Sequence, residues 1–342
     1  MYKYIEEDNG MAIDLKGRHF LTLMDFTPEE IRYLLDTGHR LKKEKKQGIY
    51  NRTLEGKNIA LIFEKTSTRT RCSFEVACKE EGANVTFIDP SSSHFGKKES
   101  VEDSAKVFGR FFDGIEYRGF GQDIVEALAK YSGAVVWNGL TDEDHPTQIL
   151  ADMMTIEENI DKPLKDVKVV FCGDIRNNMS YAWMYGCAKM GMTFVAFGPD
   201  EMKADLDPAV MEKVNKTAAE TGAEIIVSSD DSDLAGADVI YTDVWASMGE
   251  EEAIPERVKL LSPFKVTMEL LEKTGNKDVI FLHCLPAFHD FETKLAKEQM
   301  ELGYDIREVT DEVFRSEHSK VFDEAENRIH SIKAVCVATL GK

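Results

Sequence analysis

Short hydrophobic runs alternate with longer amphipathic segments along most of the 342-residue chain. The runs have the length of buried strands, and the segments between them carry apolar residues at helical spacing. The predicted strands are 57–65, 84–90, 113–119, 134–139, 167–174, 193–199, 224–229, 238–244 and 279–285. This alternation predicts an α/β protein with parallel sheets.

The strands and helices form two successive sets, divided near a predicted helix at 147–160. Because 342 residues exceed what one hydrophobic core usually serves, we expect two α/β domains, each a parallel sheet flanked by helices. The expected domains are 1–150 and 151–324, followed by a C-terminal helix at 325–342 that packs back on the first domain. A first amphipathic helix is predicted at 27–47, with Thr27 and Pro28 at its start.

The formal net charge is −20, from 62 acidic and 42 basic residues, which disfavours nucleic acid and anionic lipid as partners. No apolar run approaches the roughly 20 residues of a membrane span. The acidic N-terminal segment MYKYIEEDNG differs from a basic signal peptide, which predicts a cytoplasmic protein. Six cysteines without a CxxC pair indicate reduced thiols rather than a disulfide framework.

The sharpest polar signal is STRT at 67–70, directly after the first predicted strand. In parallel α/β sheets, ligands bind beyond the carboxyl ends of the strands. The hydroxyls, the free N–H groups of a helix start and the Arg69 guanidinium would suit a phosphate or carboxylate. Serine and threonine are also common at helix starts, and Arg69 and Arg71 could instead pair with Glu64 and Glu75, so both interpretations stay open.

Other strand ends carry further polar residues. Arg118 and the segment HPTQ (145–148) follow strands of the first set, and a second arginine there would suit an anion with several oxygens. In the second set, Asn178 and Asp243 offer an amide and a carboxylate to an amine-bearing ligand. An anion in one half and an amine in the other indicate a reaction of two substrates, and the absence of GxGxxG disfavours a nicotinamide cofactor.

The segment FLHCLPAFHD (281–290) raises a metal site and a Cys–His nucleophile as alternatives. Pro286 breaks the segment and no further ligand cluster is evident, which weakens the metal interpretation. Adjacent residues of an extended chain point to opposite sides, so His283 and Cys284 would not readily share a proton. We therefore expect Cys284 to form part of a site wall.

Seven segments follow one another along the chain: FEKTSTRTRCSFEVA, YRGFGQ, WNGLTDEDHPTQILAD, GDIRNNM, TDVWASMGEEE, FLHCLPAFHD and EVFRSEHSKVFDEAENRIH. Their order and spacing resemble the transcarbamoylase family over nearly the whole chain. DVWASMG and HCLP together favour the ornithine branch over the aspartate branch.

The resemblance implies transfer of the carbamoyl group of carbamoyl phosphate to the side-chain amine of L-ornithine, without covalent intermediate, metal or cofactor. Domain 1–150 would bind carbamoyl phosphate and domain 151–324 would bind ornithine. The implied carbamoyl-phosphate contacts are Ser67, Thr68, Arg69, Thr70, His94, Arg118, His145, Gln148, Cys284, Leu285 and Arg328. The implied ornithine contacts are Asn178, Asp243, Ser247 and Met248. The expected catalytic residues are Arg69, Arg118, His145, Asp243 and Cys284.

Two positions depart from the family pattern. His94 stands where the ornithine branch usually has a glutamine that reaches the neighbouring subunit's active site, and an imidazole would make phosphate affinity pH-dependent. Tyr181 and Trp183 replace smaller or polar residues after Asn178, and we expect them near the amino-acid site.

The resemblance further implies a homotrimer, or a multiple of trimers, with active sites at subunit interfaces. Two other functions stay open: a transcarbamoylase for putrescine or an ornithine derivative, and a silent family member that binds a small anion. The same site would serve citrulline synthesis and citrulline breakdown.

Overall fold

The computed structural model describes residues 13–89, 95, 98–246 and 250–342. All nine predicted strands are present and are parallel within two sheets, each flanked by helices. The strand cores are buried because helices cover the sheets, as is usual for parallel sheets. The α/β prediction is confirmed.

The first sheet has the strand order β2-β1-β3-β4. Its strands are β1 (Asn58–Phe63), β2 (Asn84–Ile88), β3 (Gly114–Arg118) and β4 (Val135–Leu140). The helices of this part of the chain are α1 (Pro28–Lys46), α2 (Thr68–Glu80), α3 (Val101–Phe111), α4 (Gln122–Ser132) and α5 (Pro146–Asn159).

The second sheet has the strand order β7-β6-β5-β8-β9. Its strands are β5 (Lys168–Cys172), β6 (Thr193–Phe197), β7 (Glu224–Ser228), β8 (Val239–Thr242) and β9 (Ile280–Leu282). The remaining helices are α6 (Asn178–Met190), α7 (Pro208–Thr221), α8 (Ile254–Leu261), α9 (Met268–Lys273), α10 (Lys294–Glu301), α11 (Asp311–Arg315) and α12 (Val321–Leu340).

The start of α1 shows how local sequence determines an element boundary. The Thr27 hydroxyl accepts the N–H of Glu30 at 3.2 Å, and the Glu30 carboxylate accepts the N–H of Thr27 at 2.9 Å. This reciprocal capping box satisfies two donors that a helix start leaves free, and Pro28 occupies the first helical position. The predicted helix start is therefore confirmed.

The last helix, α12, connects the two halves of the molecule. It follows β9 of the second sheet and packs against α1, α2 and α5, which confirms the predicted return to the first domain. It begins at Val321 rather than at the predicted residue 325, which adds Glu324 to the helix. Helix α5 runs through the predicted boundary at residue 150, and the boundary itself stays a prediction.

Each sheet contains one point where the strand order reverses: between β1 and β3 in the first sheet, and between β5 and β8 in the second. Ligands of α/β proteins bind at such switch points, beyond the carboxyl ends of the strands. The polar segments singled out in the sequence follow these four strands and β4 and β9. Within the described ranges, no helix has the length and apolar character needed to cross a membrane.

Candidate active site

A cavity of about 720 Å³ is lined by strand-end loops of both sheets and by α12. Eleven of the predicted site residues line it: Ser67, Thr68, Arg69, Thr70, Arg118, His145, Asn178, Asp243, Cys284, Leu285 and Arg328. Gln148 does not line the cavity. His94, Ser247 and Met248 lie outside the described residues, so the predictions for them stay predictions.

The start of α2 forms one wall of the cavity. Ser67 caps the helix, with its hydroxyl accepting the N–H of Thr70 at 3.3 Å. Arg71 pairs with Glu75 at 2.9 Å, whereas Arg69 forms no ion pair or hydrogen bond with any residue of the described ranges. Burial lowers the pKa of the Arg69 guanidinium, and the nearby Cys284 and Asp243 oppose this shift. Arg69 is thus a half-buried cation in a cavity wall.

Two more guanidinium groups meet at the Thr70 hydroxyl. Arg118 and Arg328 each donate to Thr70 Oγ1 at 3.2 Å. Burial, together with the neighbouring charge of Arg328, lowers the pKa of Arg118 to about 10. Both groups are therefore cationic at neutral pH, and the Nε atoms of both are buried without a described hydrogen-bond partner. Clustered cations with free donors are suited to an anion with several oxygens.

His145 is buried beside these cations. Its Nε2 lies 3.0 Å from Nη1 of Arg328, and because a guanidinium can only donate, Nε2 must accept. Burial and the charges of Arg328 and Arg118 hold the pKa of His145 well below its usual value. The ring is therefore neutral with its proton on Nδ1, which has no hydrogen-bond partner in the described part of the chain. His145 can thus serve as a neutral donor.

Gln148 lies behind the cavity wall. Its Oε1 accepts a hydrogen bond from Nη1 of Arg328, and its Nε2 donates to Asp152 at 2.7 Å and to Glu324 at 2.9 Å. The side chain is fully buried, and its contact with the cavity wall is the hydrogen bond to Arg328. A direct contact between Gln148 and the carbamoyl group stays a prediction.

Asp243 and Cys284 form the opposite wall. The Cys284 thiol donates to Oδ1 of Asp243 at 3.4 Å, and the same oxygen accepts the N–H of Val244 at 2.8 Å. Burial, reinforced by the Asp243 carboxylate, raises the pKa of the Cys284 thiol well above its usual value. A thiol that keeps its proton is a poor nucleophile.

His283 and His289 point to separate partners. His283 Nδ1 accepts the N–H of Leu285 at 2.9 Å, and its Nε2 lies 3.0 Å from the Glu308 carboxyl. Burial lowers the pKa of His283 to about 4. His289 stacks on Phe314 with ring centroids 3.8 Å apart and bonds Asp311 at 2.7 Å. A Cys284–His283 nucleophile pair is therefore not formed.

Among the described residues, two groups of side chains have potential metal-ligand atoms close together. The donor atoms of Asp243, His283 and Cys284 all lie within 4.8 Å, because β8 and β9 are neighbours. Sequence spacing could not show this, since 40 residues separate Asp243 from His283. Metal binding there would require His283 to release a current partner and Cys284 to lose its proton. The second group, His289 with Asp290 and Asp311, lies outside the cavity lining.

Asn178 lines the cavity at the start of α6, and its side-chain amide donates to the carbonyl of Thr141 at 2.8 Å. The expectation that Tyr181 and Trp183 lie at the amino-acid site is not met, because neither lines the cavity. The Tyr181 hydroxyl accepts the N–H of Asp207 at 3.0 Å, and Trp183 packs edge-on against Tyr241. Tyr181 is thus directed towards the start of α7, and Trp183 towards strand β8.

Sequence reasoning did not single out Glu308 and Glu324. Glu324 stands four residues before Arg328, and on a helix this spacing places both on one face, which could have signalled it. Glu308 is an isolated glutamate in a loop after α10, so nothing in its local sequence indicates that it holds His283.

Comparison with known proteins agrees with this geometry. Residues 18–158 match the carbamoyl-P binding domain of the aspartate/ornithine carbamoyltransferases, and residues 165–339 match their Asp/Orn binding domain. The chain belongs to the aspartate/ornithine carbamoyltransferase family. The two matched domains meet between residues 158 and 165, at the end of α5.

Family members with close similarity include two proteins of Clostridium perfringens. The ornithine carbamoyltransferase of strain SM101 and the catabolic ornithine carbamoyltransferase of strain 13 are each 63% identical over 335 residues, which cover 97% of this chain and 100% of the relative. Among solved structures, the ornithine carbamoyltransferase from Pyrococcus furiosus is similar with 39% identity and a TM-score of 0.87, over 96% of this chain and 99% of that one.

Proposed function

We propose that this chain is an ornithine carbamoyltransferase, which forms L-citrulline and phosphate from carbamoyl phosphate and L-ornithine. The observation that carries the proposal is a single cavity with guanidinium groups on one wall and Asp243 on the other, in a chain of this family. The reaction belongs to arginine metabolism and can run in either direction on the same site.

The donor wall is assigned to carbamoyl phosphate. Ser67, Thr68, Arg69 and Thr70 hold the phosphate at the start of α2, where free N–H groups and the helix dipole favour an anion. Arg118 and His145 donate to the carbonyl oxygen of the carbamoyl group. Arg328 completes this wall from α12, and the backbone at Cys284 and Leu285 faces the carbamoyl amide.

The acceptor wall is assigned to ornithine. Asn178 and Asp243 bind its polar groups, with Ser247 and Met248 of the following loop as further predicted contacts. Burial raises the pKa of Asp243, so a cationic partner would favour its ionised form. The ammonium groups of the amino acid would thus favour the ionised form of Asp243.

The chemistry follows from this placement. The neutral δ-amine attacks the carbamoyl carbon, negative charge develops on the carbonyl oxygen, and the C–O bond to phosphate breaks. The departing phosphate takes the proton that the attacking nitrogen loses. Arg69, Arg118 and His145 stabilise the developing charge, which is commonly the largest catalytic contribution. Holding both substrates in one cleft supplies a further large part of the acceleration. Burial raises the pKa of the Cys284 thiol, which makes it a poor nucleophile and favours direct attack by the amine over a covalent enzyme intermediate.

A second candidate is a transcarbamoylase for another amine, such as putrescine. A steady-state screen of amine acceptors with carbamoyl phosphate separates the two. We expect citrulline formation with L-ornithine and little turnover with putrescine. If putrescine were carbamoylated and ornithine were not, the chain would be a putrescine carbamoyltransferase and the proposal would be wrong. Binding of carbamoyl phosphate without turnover of any amine would indicate a silent family member.

We also propose a homotrimer, or a multiple of it, in which His94 reaches the neighbouring subunit's site. The support is the resemblance of SSSHFGKKES to the corresponding family segment. Sedimentation equilibrium should give three times the chain mass of 38.6 kDa or a multiple of that value. The cytoplasmic location stays a prediction from the N-terminal sequence.

A further inference from the structure

Two fully buried carboxyl groups face each other beneath the cavity, where α5 and α12 cross. Asp152 lies on α5 and Glu324 on α12, and their carboxyl groups are close enough to interact directly. Both also accept the Nε2 group of Gln148, at 2.7 and 2.9 Å. None of the three lines the cavity, so the cluster lies behind the residues assigned to substrate.

Hydrogen bonding around this pair indicates that it contains one proton. Glu324 accepts the N–H of His283 at 2.8 Å on one oxygen and the Tyr241 hydroxyl at 3.4 Å on the other, which Gln148 also contacts. In contrast, Oδ2 of Asp152 accepts no hydrogen bond from the described residues, which leaves it free to hold a proton towards Glu324. Burial raises the pKa of both groups, and two adjacent buried carboxyls cannot both ionise at neutral pH.

The remaining negative charge determines the orientation of the Gln148 amide. The NH₂ group must face the acceptors Asp152 and Glu324, which turns Oε1 towards the Arg328 cation. An amide turned the other way would place its NH₂ group against the Arg328 donor and its Oε1 against the carboxylate acceptors. Arg328 is thereby held where it donates to His145 at 3.0 Å and to Thr70 at 3.2 Å.

The same pair also holds the acceptor side of the cavity. The N–H of His283 is bonded to Glu324, and the His283 ring in turn accepts the N–H of Leu285. One buried pair therefore contacts both the Gln148–Arg328–His145 chain and the backbone that leads into Cys284. It joins three elements that carry site residues: α5, α12 and the loop after β9.

We propose that Asp152 and Glu324 share one proton and one negative charge, and that this pair is a positioning device for the reaction. It orients Arg328 and His145 through Gln148, and it fixes the 283–285 backbone. The inference rests on the proposed function, because the residues that it positions are those assigned to carbamoyl phosphate.

A double-mutant cycle with isosteric substitutions tests the shared charge. Asp152→Asn alone leaves Glu324 ionised, and Glu324→Gln alone leaves Asp152 ionised, so each single variant keeps one negative charge and one hydrogen bond within the pair. We expect each single variant to lower kcat by no more than about threefold. The double variant has no charge opposite Arg328, and its kcat should fall about 10- to 100-fold below the product of the single effects. The KM for ornithine should change less than about twofold, because its predicted contacts remain.

Glu158→Gln is the matched control for polar packing between the same helices. The Glu158 carboxylate accepts hydrogen bonds from the Lys42 ammonium at 2.8 Å and from the Asn327 side-chain amide at 2.9 Å, but it does not contact Gln148. The kcat of Glu158→Gln should therefore equal that of the wild type. If the kcat of the double variant equals the product of the two single effects, the proposal is overturned, because independent effects mean that the two carboxyls share no charge. An equal loss of kcat in Glu158→Gln would overturn it as well.

An infrared measurement keeps the proposal testable if the double variant does not fold. The wild type minus Asp152→Asn and wild type minus Glu324→Gln difference spectra at neutral pH should both show loss of a protonated carboxyl C=O band. Retention of that band in both single variants would refute the shared proton. If the wild type itself forms no citrulline, the proposed function fails, and the infrared result still reports on the pair.

Discussion

Arg69 and Arg71 stand two positions apart on α2 and have different environments. Arg71 is bonded to Glu75 and lies over the Phe87 ring at 3.6 Å, whereas Arg69 lies in the cavity wall without a hydrogen bond or ion pair to the described residues. A bound phosphate could therefore take up the Arg69 guanidinium without first breaking an ion pair. The two residues form a natural pair for mutagenesis.

Arg69→Ala should reduce kcat/KM for carbamoyl phosphate by about 10²- to 10³-fold, the loss typical of removing one donor to developing charge. Arg71→Ala, on the same helix, should change it far less because that arginine faces Glu75. Steady-state kinetics with saturating ornithine measures both. Near-normal turnover in Arg69→Ala would contradict the assignment of α2 to the phosphate.

At the scale of the element, capping side chains determine where helices α1 and α2 begin. Ser67 caps α2 at the cavity, while Thr27 caps α1 with a complete capping box. Thr27 does not line the cavity, so its contribution to stability can be separated from catalysis.

Thr27→Ala should lower the free energy of unfolding by about 1 kcal/mol, because the side-chain acceptor for the Glu30 N–H is lost. Thr27→Ser keeps that acceptor and should restore most of the loss. Urea denaturation of the two variants gives the comparison, and kcat should remain unchanged in both. Equal stability of Thr27→Ala and wild type would show that the cap contributes nothing measurable.

The strands and the first helix could be predicted from sequence because short apolar runs and capping residues are local signals. The helices between residues 254 and 315, α8 to α11, could not, since they are short and their positions depend on tertiary packing. The site residues at strand ends were found through the switch-point rule. The roles of Gln148, Glu308 and Glu324 depend on contacts between distant segments, which a sequence does not display.

At the scale of the whole molecule, several titratable groups are buried in unusual protonation states. Burial raises the pKa of Glu308 to about 8, so the folded protein keeps a proton that the unfolded chain loses above its ordinary pKa near 4.5. The stabilisation linked to this proton is complete below about pH 4.5 and is lost as pH rises towards 8. The pKa of His283 is lowered to about 4, so its effect on the free energy of unfolding has the opposite sign: stability rises with pH, and only below the ordinary pKa of 6.5.

Between pH 6.5 and 8 the Glu308 proton can therefore be examined without interference from His283. The wild type should lose about 1.4 kcal/mol more unfolding free energy per pH unit than Glu308→Gln near pH 6.5, and about half as much near pH 8, because the glutamine side chain cannot ionise. Chemical denaturation at several pH values measures the slopes. Glu298→Gln, an exposed glutamate on α10, should keep the wild-type slope, and identical slopes for all three proteins would rule out a neutral Glu308.

The crossing of α12 also has a consequence for the order of assembly. Arg328 comes later in the chain than every other residue of the cavity wall, yet it contacts His145 and Thr70, which are made much earlier. During synthesis, both sheets can form before the donor wall is complete. If Arg328 binds carbamoyl phosphate as proposed, a nascent chain that ends after β9 would carry the acceptor loops but would bind carbamoyl phosphate weakly until α12 is added.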